Sequence, residues 1–508
     1  MKTLVIKNYA TILKNICLTV FSLFMFSSCE SMLDVDAEGT ISGDVMVNEA
    51  TIQQSLTGAY YSLGGINDGS AGGELLGGDF KVIPELLVRQ QSLEVVWDDV
   101  NSPTYANFID KNILLTNPRV ESNWRRAYEV INNVNTILEN LENVSNATQR
   151  KRIEGEARAI RGILYFEMVR LWAPQYRESS FNSLAIPLIT TSFESIADIK
   201  TPTIQTVGEV YAQVEEDLLA ASEALLEFGQ NGLYLNYYAC QAYLMRLSMH
   251  RLEFANAQVY AENIINSGVY SLAETSLAAF NNTTNSTEDV FAIQQTLANN
   301  TGDITSGSGL TYLYSSISGK GPGSFRIQGL SIGAALADFY PNAPAFWGND
   351  LRGSVDSVTS ATTTVAEINR AFYRHVTSTN TLSLNKFASA DYVIPVVRLA
   401  EVYLTRAEAL IELSFPDVND LAITDLNRIR MRAGLPEMVP ADFGDAGQMR
   451  DTLVLERRRE FYGEGMLLHD LKRWSARGWP ADINRSDPLF RKFILPFPQA
   501  EVDTWIFD

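Results

Sequence analysis

Gly155-Glu156-Ala157-Arg158-Ala159-Ile160-Arg161-Gly162-Ile163-Leu164-Tyr165-Phe166-Glu167-Met168-Val169-Arg170-Leu171-Trp172 is the stretch from which the rest of the chain can be read. Ala157, Ile160, Leu164, Met168 and Leu171 recur at steps of three and four residues, which puts them on one face of an α-helix. A second apolar stripe precedes it, Trp124, Tyr128, Ile131, Leu138 and Leu141, and the two are expected to pack as a hairpin.

The same period continues outward. Val207, Val210, Tyr211, Val214, Leu218, Ala221 and Leu225 form the clearest stripe. Between Leu244 and Ala273 a further pair is expected, broken near Arg251 to Phe254 and stopped at Ser267-Gly268, where glycine suits a left-handed helix end. A helix from about Ile394 to Leu413 stops before Pro416, and another from Leu421 to Ala433 stops at Gly434-Leu435-Pro436. Helix pairs joined by short turns predict a mainly α protein, a tetratricopeptide-like helix-pair solenoid, although the 34-residue consensus of that repeat is not legible. Long irregular loops and a few short strands are expected to form a second lobe, since the chain exceeds the size at which one core stops growing.

Two segments lack the helical period. Residues 62 to 105 carry the pairs Gly64-Gly65, Gly72-Gly73 and Gly77-Gly78 and then Trp97, Asp98, Asp99, Asn101 and Tyr105. Residues 280 to 390 are rich in Ser, Thr, Asn and Gly. Both read as loops and short strands, and binding residues tend to lie on loops held by a rigid scaffold.

At the start of the chain Lys2, Lys7 and Lys14 precede the apolar run from Ile16 to Phe26, which is too short for a transmembrane helix and is expected to be a signal segment over residues 1–28. It ends in Phe26-Ser27-Ser28-Cys29, which resembles a bacterial lipobox, so Cys29 is the expected lipidation site. Two acyl signals suffice for stable anchoring, because each buried CH₂ contributes about 0.8 kcal/mol. The acidic stretch Glu30, Asp34 and Asp36 is like the segment that sends lipoproteins of Bacteroidetes-type bacteria to the outer face. Of three cysteines only Cys240 then remains, in an apolar helical stretch where a free thiol behaves as a small buried hydrophobe. The formal net charge of −20 opposes nucleic acid and anionic lipid surfaces as partners.

The quoted stretch is also similar to the hallmark helix of the SusD/RagB family of nutrient-binding lipoproteins. Other motifs follow in the family's order: Thr57-Gly58-Ala59-Tyr60, Trp124-x3-Tyr128-x2-Ile131-x3-Asn135, Val207-x2-Val210-Tyr211 with Asp217-Leu218, and Ile394 through Ala409. Asn427 to Leu435, Glu456 to Gly465, Asp470-Leu471-Lys472-Arg473-Trp474 and Leu495-Pro496-Phe497-Pro498 complete the resemblance, which spans the chain after Cys29. It implies an N-terminal SusD-like helical region over 29–275 and a C-terminal region over 276–508 with a loop-rich insertion at about 280–390. It also implies a surface lipoprotein of the outer membrane that sits over a SusC-like TonB-dependent transporter. Such proteins capture oligosaccharides or, in some branches, peptides, and are not enzymes. The charged motif residues Arg398, Glu401, Arg406 and Glu408, Glu156 with Arg161, and Glu456 to Glu460 are expected to pair across helix faces or between helices, on solvated faces by default.

A hydrolase would need two carboxylates about 5 to 9.5 Å apart. Asp79, Glu94, Asp98 and Asp99 supply candidates, but nothing in the sequence holds one of them protonated. His250, His375 and His469 have no ligand-spaced partners, so neither a metal nor another cofactor is expected, and Gly319-Lys320-Gly321-Pro322-Gly323 is a turn without phosphate-loop spacing. Binding chemistry is better provided for, because a sugar offers an apolar ring face to flat aromatics and a rim of hydroxyls to polar side chains. Trp97 with Asp98, Asn101, Arg89 and Tyr105 supplies that mixture, and Tyr312, Tyr314, Phe325 and Trp347 are candidates to complete an aromatic arc. Core packing is the competing fate of each aromatic.

Overall fold

The structure, a computed structural model, describes residues 46, 48–65, 73–88, 95–97, 103–193, 203–229, 232–295, 310–314, 325–328, 349–358, 372–375, 381–388, 392–477 and 491–504. Asparagines start much of its helical frame, each side-chain oxygen accepting from backbone N–H groups that the first turn leaves free. Asn48 opens α1 (Glu49–Leu63), which is followed by α2 (Asp79–Leu87), strand β1 (Val95–Trp97) and α3 (Pro103–Asp110). Asn117 opens α4 (Pro118–Glu139), and Asn146 opens α5 (Ala147–Trp172). Strand β2 (Leu184–Pro187) pairs with β3 (Ile204–Thr206), whose last residue caps α6 (Val207–Leu225) in a reciprocal box with Glu209. Asn236 opens α7 (Tyr237–Arg251), and Leu252, at φ 64°, turns the chain into α8 (Phe254–Ile265).

The second half begins with β4 (Asp289–Ile293), α9 (Leu310–Tyr314), β5 (Phe325–Gln328), β6 (Val355–Val358), β7 (Phe372–His375), β8 (Thr381–Leu384) and β9 (Ile394–Arg398). It closes with α10 (Leu399–Ser414), α11 (Asp420–Arg432), α12 (Ala446–Glu460), α13 (Met466–Ala476) and α14 (Gln499–Thr504).

Helix α5 is buried on every side from Ala159 to Trp172 because α4 and α6 flank it. Two glycines allow the approach of α6: a Cβ on Gly155 would stand 2.7 Å from Leu225 Cγ, and one on Gly162 would stand 3.2 Å from Asp217 Cβ. From α5 the stacking runs through α6, α7, α8 and α10 to α11 and α12, so the helix pairs form the mainly α, tetratricopeptide-like frame expected from the periodicity. Near the C-terminus the chain returns to seal the end of α5, where Leu495 N–H donates to Leu171 O at 2.9 Å and Trp172 Nε1 donates to Pro496 O at 3.0 Å. The buried apolar side chains form one cluster that includes Met46 and Leu495.

Local sequence signals fail in two places. Residues 62 to 105, read as loop and short strand, contain α2 and the beginning of α3. Every residue of α2 is buried despite Pro84 within it, and Glu85 accepts from the N–H groups of Gly463 at 3.3 Å and Gly465 at 3.2 Å, so tertiary packing overrides the breaker. The helix expected from Ile394 begins only at Leu399, because Ile394–Arg398 is a strand paired antiparallel with β4. Ile394, Val396 and Val397 are the β-branched residues that suit that ladder.

Candidate functional site

The two segments without helical period meet in one sheet of order β1-β5-β8-β7-β6. Strand β1 pairs antiparallel with β5, and the register sets Trp97 directly opposite Phe325, Val96 opposite Arg326 and Val95 opposite Ile327. Trp97 and Phe325, candidate residues from separate regions of the sequence, are thus backbone neighbours. Strand β5 continues into β8, β8 into β7, and β7 runs parallel to β6. Tyr312 lies on the single turn of α9. Cys29, Arg89, Asp98, Asn101 and Trp347 lie outside the described residues.

Tyr105 and Tyr314 meet the competing fate and are core side chains. Tyr314 is fully buried, with its ring 6.1 Å from that of Phe387. Tyr105 is 1% exposed and donates its hydroxyl to Asp79 Oδ1 at 2.7 Å. Asp79 also accepts from Arg119 Nε at 2.7 Å and from Asn123 Nδ2 at 2.6 Å, so this carboxylate knots α2, α3 and α4 together and is not placed to attack a glycosidic bond. Burial, more than the neighbouring charges, pushes the Tyr105 hydroxyl well above its usual range. Glu74, beside Arg119 at 3.6 Å, is likewise pushed up by burial, and Arg119 opposes the shift.

The sheet and the strands around it are fastened to the helical frame by buried charge. Lys386, just past β8, donates to the carbonyls of Glu460 at 2.8 Å and Tyr462 at 3.2 Å and to Glu464 at 2.6 Å. Arg398, at the end of β9, reaches Glu464 at 2.9 Å and both Glu288 and Glu460 at 3.1 Å. Arg352, in the turn before β6, holds Glu456 at 2.6 Å, and Arg432 holds Glu460 at 2.6 Å and also contacts Glu288. Burial alone would raise the Glu460 carboxyl, but Arg432, Arg398, Arg352 and Lys386 hold it far below the carboxylate range.

These positions correct the expectation of solvated helix faces. Arg398, Glu401, Arg406 and Glu408 are all buried, and each pairs with another element: Arg246 with Glu401 at 2.7 Å, Arg406 with Asp425 at 2.7 Å, and Arg473 with Glu408. Glu156 does not pair with Arg161. It takes Arg152 at 3.1 Å, whereas Arg161 reaches across to Asp217 at 2.6 Å. The signal that distinguishes these residues is an arginine or glutamate recurring inside an otherwise apolar helical run, where no solvated face is available.

Cys240, as expected, is buried in α7, and burial pushes its thiol up to about 12. No helix among the described residues is long and apolar enough to cross a membrane.

The sequence matches the SusD family over residues 352–505 and the family described as "Starch-binding associating with outer membrane" over residues 83–249. SusD-like protein P25 of Formosa agariphila is 24% identical, with 97% of each chain covered. SusD-like protein P2 of the same organism is 24% identical over 76% of this chain and 79% of its own. Among solved structures, a SusD superfamily protein from Bacteroides thetaiotaomicron shares the fold at a TM-score of 0.67 and 22% identity, covering 91% of this chain and 98% of its own. A SusD-like carbohydrate binding protein from Bacteroides vulgatus gives 0.65 at 22% identity, covering 84% and 83%. The two matched segments hold the α4–α5–α6 stack at one end and the buried charge lattice of α10 to α13 at the other, and on that ground the chain belongs to the SusD/RagB family.

Proposed function

We propose that this chain is a cell-surface lipoprotein that captures oligosaccharides and delivers them to a SusC-like TonB-dependent transporter in the outer membrane, with the lipid on Cys29 as its tether. The observation that carries the reading is the register of Trp97 with Phe325. It joins strands from the two segments that lack helical period, one from residues 29–275 and one from 276–508, at a single sheet. The sequence of both segments supplies aromatic and amide side chains, which is the mixture that a sugar face and its hydroxyl rim require. The carbohydrate-binding description of the Bacteroides vulgatus protein with this fold supports the same class of ligand. Binding without hydrolysis is supported by Asp79, whose oxygens are occupied by three donors.

Fractionation and uptake test the delivery part. Cys29→Ala is expected to move the protein out of the membrane fraction and to impair uptake of the bound oligosaccharide, with binding in solution unchanged. Recovery of the variant in the membrane, still acylated, would contradict the tether, and unimpaired uptake by the released variant would contradict delivery.

A further inference from the structure

Between α5, α7, α10, α12 and α13 lies a small cavity of ≈ 20 Å³, lined by Arg170, Arg246, His250, Arg457, His469 and Arg473 among others. One water-sized particle needs about 10–15 Å³, so the space holds one small occupant with little to spare. Three polar atoms of its wall, Arg170 Nε, His250 Nδ1 and His469 Nδ1, are buried and make no hydrogen bond within the protein. All three residues are more than nine-tenths buried: Arg170 is 6% exposed and each histidine 3%. Arg170 Nε can only donate, and each neutral imidazole can present an N–H at Nδ1, so the residues of the wall can offer three donors to an occupant.

The carboxylates nearby are already committed to other partners. Both oxygens of Glu401 accept from Arg246 at 2.7 Å, and those of Asp470 accept from Arg457 at 2.8 and 2.9 Å. Glu167 takes Arg170, and Glu408 takes Arg473. Those four carboxylates equal the four guanidiniums of the wall in number, although Glu408 is shared with Arg477. Lys472, next in sequence to Arg473, is left over: it is buried and donates to a neutral acceptor, Arg170 O, at 2.7 Å. The Lys472 ammonium is lowered to about 7 by burial first and then by Arg170, so the shell carries one surplus positive charge when Lys472 is protonated. Burial first, and then Arg170, Lys472 and Arg246 among the surrounding cations, keep both imidazoles from protonating.

We infer that this cavity is a site for one small monovalent anion of the halide class, held by Arg170 Nε and the imidazole N–H groups of His250 and His469. A single negative charge there offsets protonated Lys472, and three otherwise unpartnered groups gain an acceptor. The Met249 and Met466 side chains in the wall add polarisable surface that suits a halide. The occupant binds between helices that are far apart in sequence, and so it fastens α13 to α5 and α7.

Diffraction from crystals of the protein grown in sodium bromide, recorded at the bromine absorption edge, tests the assignment. An anomalous peak within hydrogen-bonding reach of Arg170 Nε, His250 Nδ1 and His469 Nδ1 is expected. The melting temperature should rise by several degrees when sodium gluconate is exchanged for sodium chloride at equal ionic strength, and His469→Gln should reduce that halide-specific rise at least several-fold. No peak in the cavity, or a non-anomalous water in its place, would overturn the assignment, as would equal melting in the two salts. The diffraction result stands on the unmodified protein, so it decides the matter even if the variant does not fold.

Discussion

Arg161 of α5 grips Asp217 of α6 through two N–H···O bonds, Nε to Oδ2 at 2.8 Å and Nη2 to Oδ1 at 2.6 Å. Its remaining arm, Nη1, donates to Asn135 Oδ1 of α4 at 2.8 Å, so one guanidinium joins three successive helices of the frame. Asp217 is fully buried, and its other cationic neighbour, Arg158, stands 3.6 Å away and is partly exposed. Arg161→Met is expected to cost about 3–5 kcal/mol by leaving a buried carboxylate with poor compensation. In the double variant Arg161→Met/Asp217→Leu most of that loss should return. Urea denaturation of the wild type and both variants measures this, and a double variant no better than the single one would contradict it.

The glycine pattern predicts a contrast. A Cβ on Gly155 would meet Leu225 Cγ at 2.7 Å and Ala224 Cβ at 2.9 Å, so Gly155→Ala forces α5 and α6 apart and should destabilise by about 1–3 kcal/mol. On α1, a Cβ on Gly58 meets nothing within 4 Å, and Gly58→Ala should stabilise by about 0.5–1 kcal/mol through helix propensity. Thermal melts of the two variants should move in opposite directions.

Asp289 gives a pH dependence whose sign can be stated in advance. Burial pushes its carboxyl up to about 7, against the opposing hydrogen bonds from Ser286 and the charge of Arg398. Its Oδ2 accepts from Ser286 N–H at 2.7 Å, while Oδ1 is buried without a partner. Between pH 4 and 7 the folded chain therefore holds a proton that the unfolded chain releases, and this group's contribution falls as pH rises through that window. Asp289→Asn keeps the acceptor for Ser286 and removes the charge. It should be near neutral at pH 4 and stabilising at pH 8, by up to about 4 kcal/mol. An equal effect at both pH values would contradict the account.

Glu408 carries the opposite sign. Burial alone would raise its carboxyl, but Arg473, Arg477 and Arg457 hold it down to about 2. Its contribution is complete above the ordinary carboxylate pKa and is lost as pH falls from about 4.5 toward 2, roughly 3 kcal/mol in all. Glu408→Gln should accordingly lower stability at pH 7 and flatten the acid limb of a stability-versus-pH curve.

Much of the frame was legible because its signals are local. The stripe from Val207 to Leu225 coincides with α6 at both ends, and the stops at Gly268, φ 66°, and Gly434, φ 74°, are the left-handed turns that glycine permits. What escaped the sequence depends on distant partners. Helix α2 survives Pro84 because Gly463 and Gly465 dock on Glu85, and Arg398 looks like a surface charge until Glu288, Glu460 and Glu464 close around it. In the candidate site the strands β1 and β5 fall in segments read as loops and short strands, but the pairing of Trp97 with Phe325, more than two hundred residues apart, has no local signature. Nor does local sequence mark Tyr105 and Tyr314 as the candidates that fill the core.

Trp97→Ala should weaken oligosaccharide binding at least about tenfold, or roughly 1.4 kcal/mol, while leaving cooperative unfolding intact. Undiminished affinity in a folded variant would remove Trp97 from the binding site. A variant that loses cooperative unfolding would assign the ring to packing.

The central claim is that this chain binds glycans, and a glycan array followed by calorimetric titration of the soluble chain beyond Cys29 tests it most directly. The account predicts saturable binding to an oligosaccharide class, weakened by Trp97→Ala, with the oligosaccharide recovered unhydrolysed. Binding of peptides with no response to any glycan, or steady cleavage of the bound oligosaccharide, would contradict it.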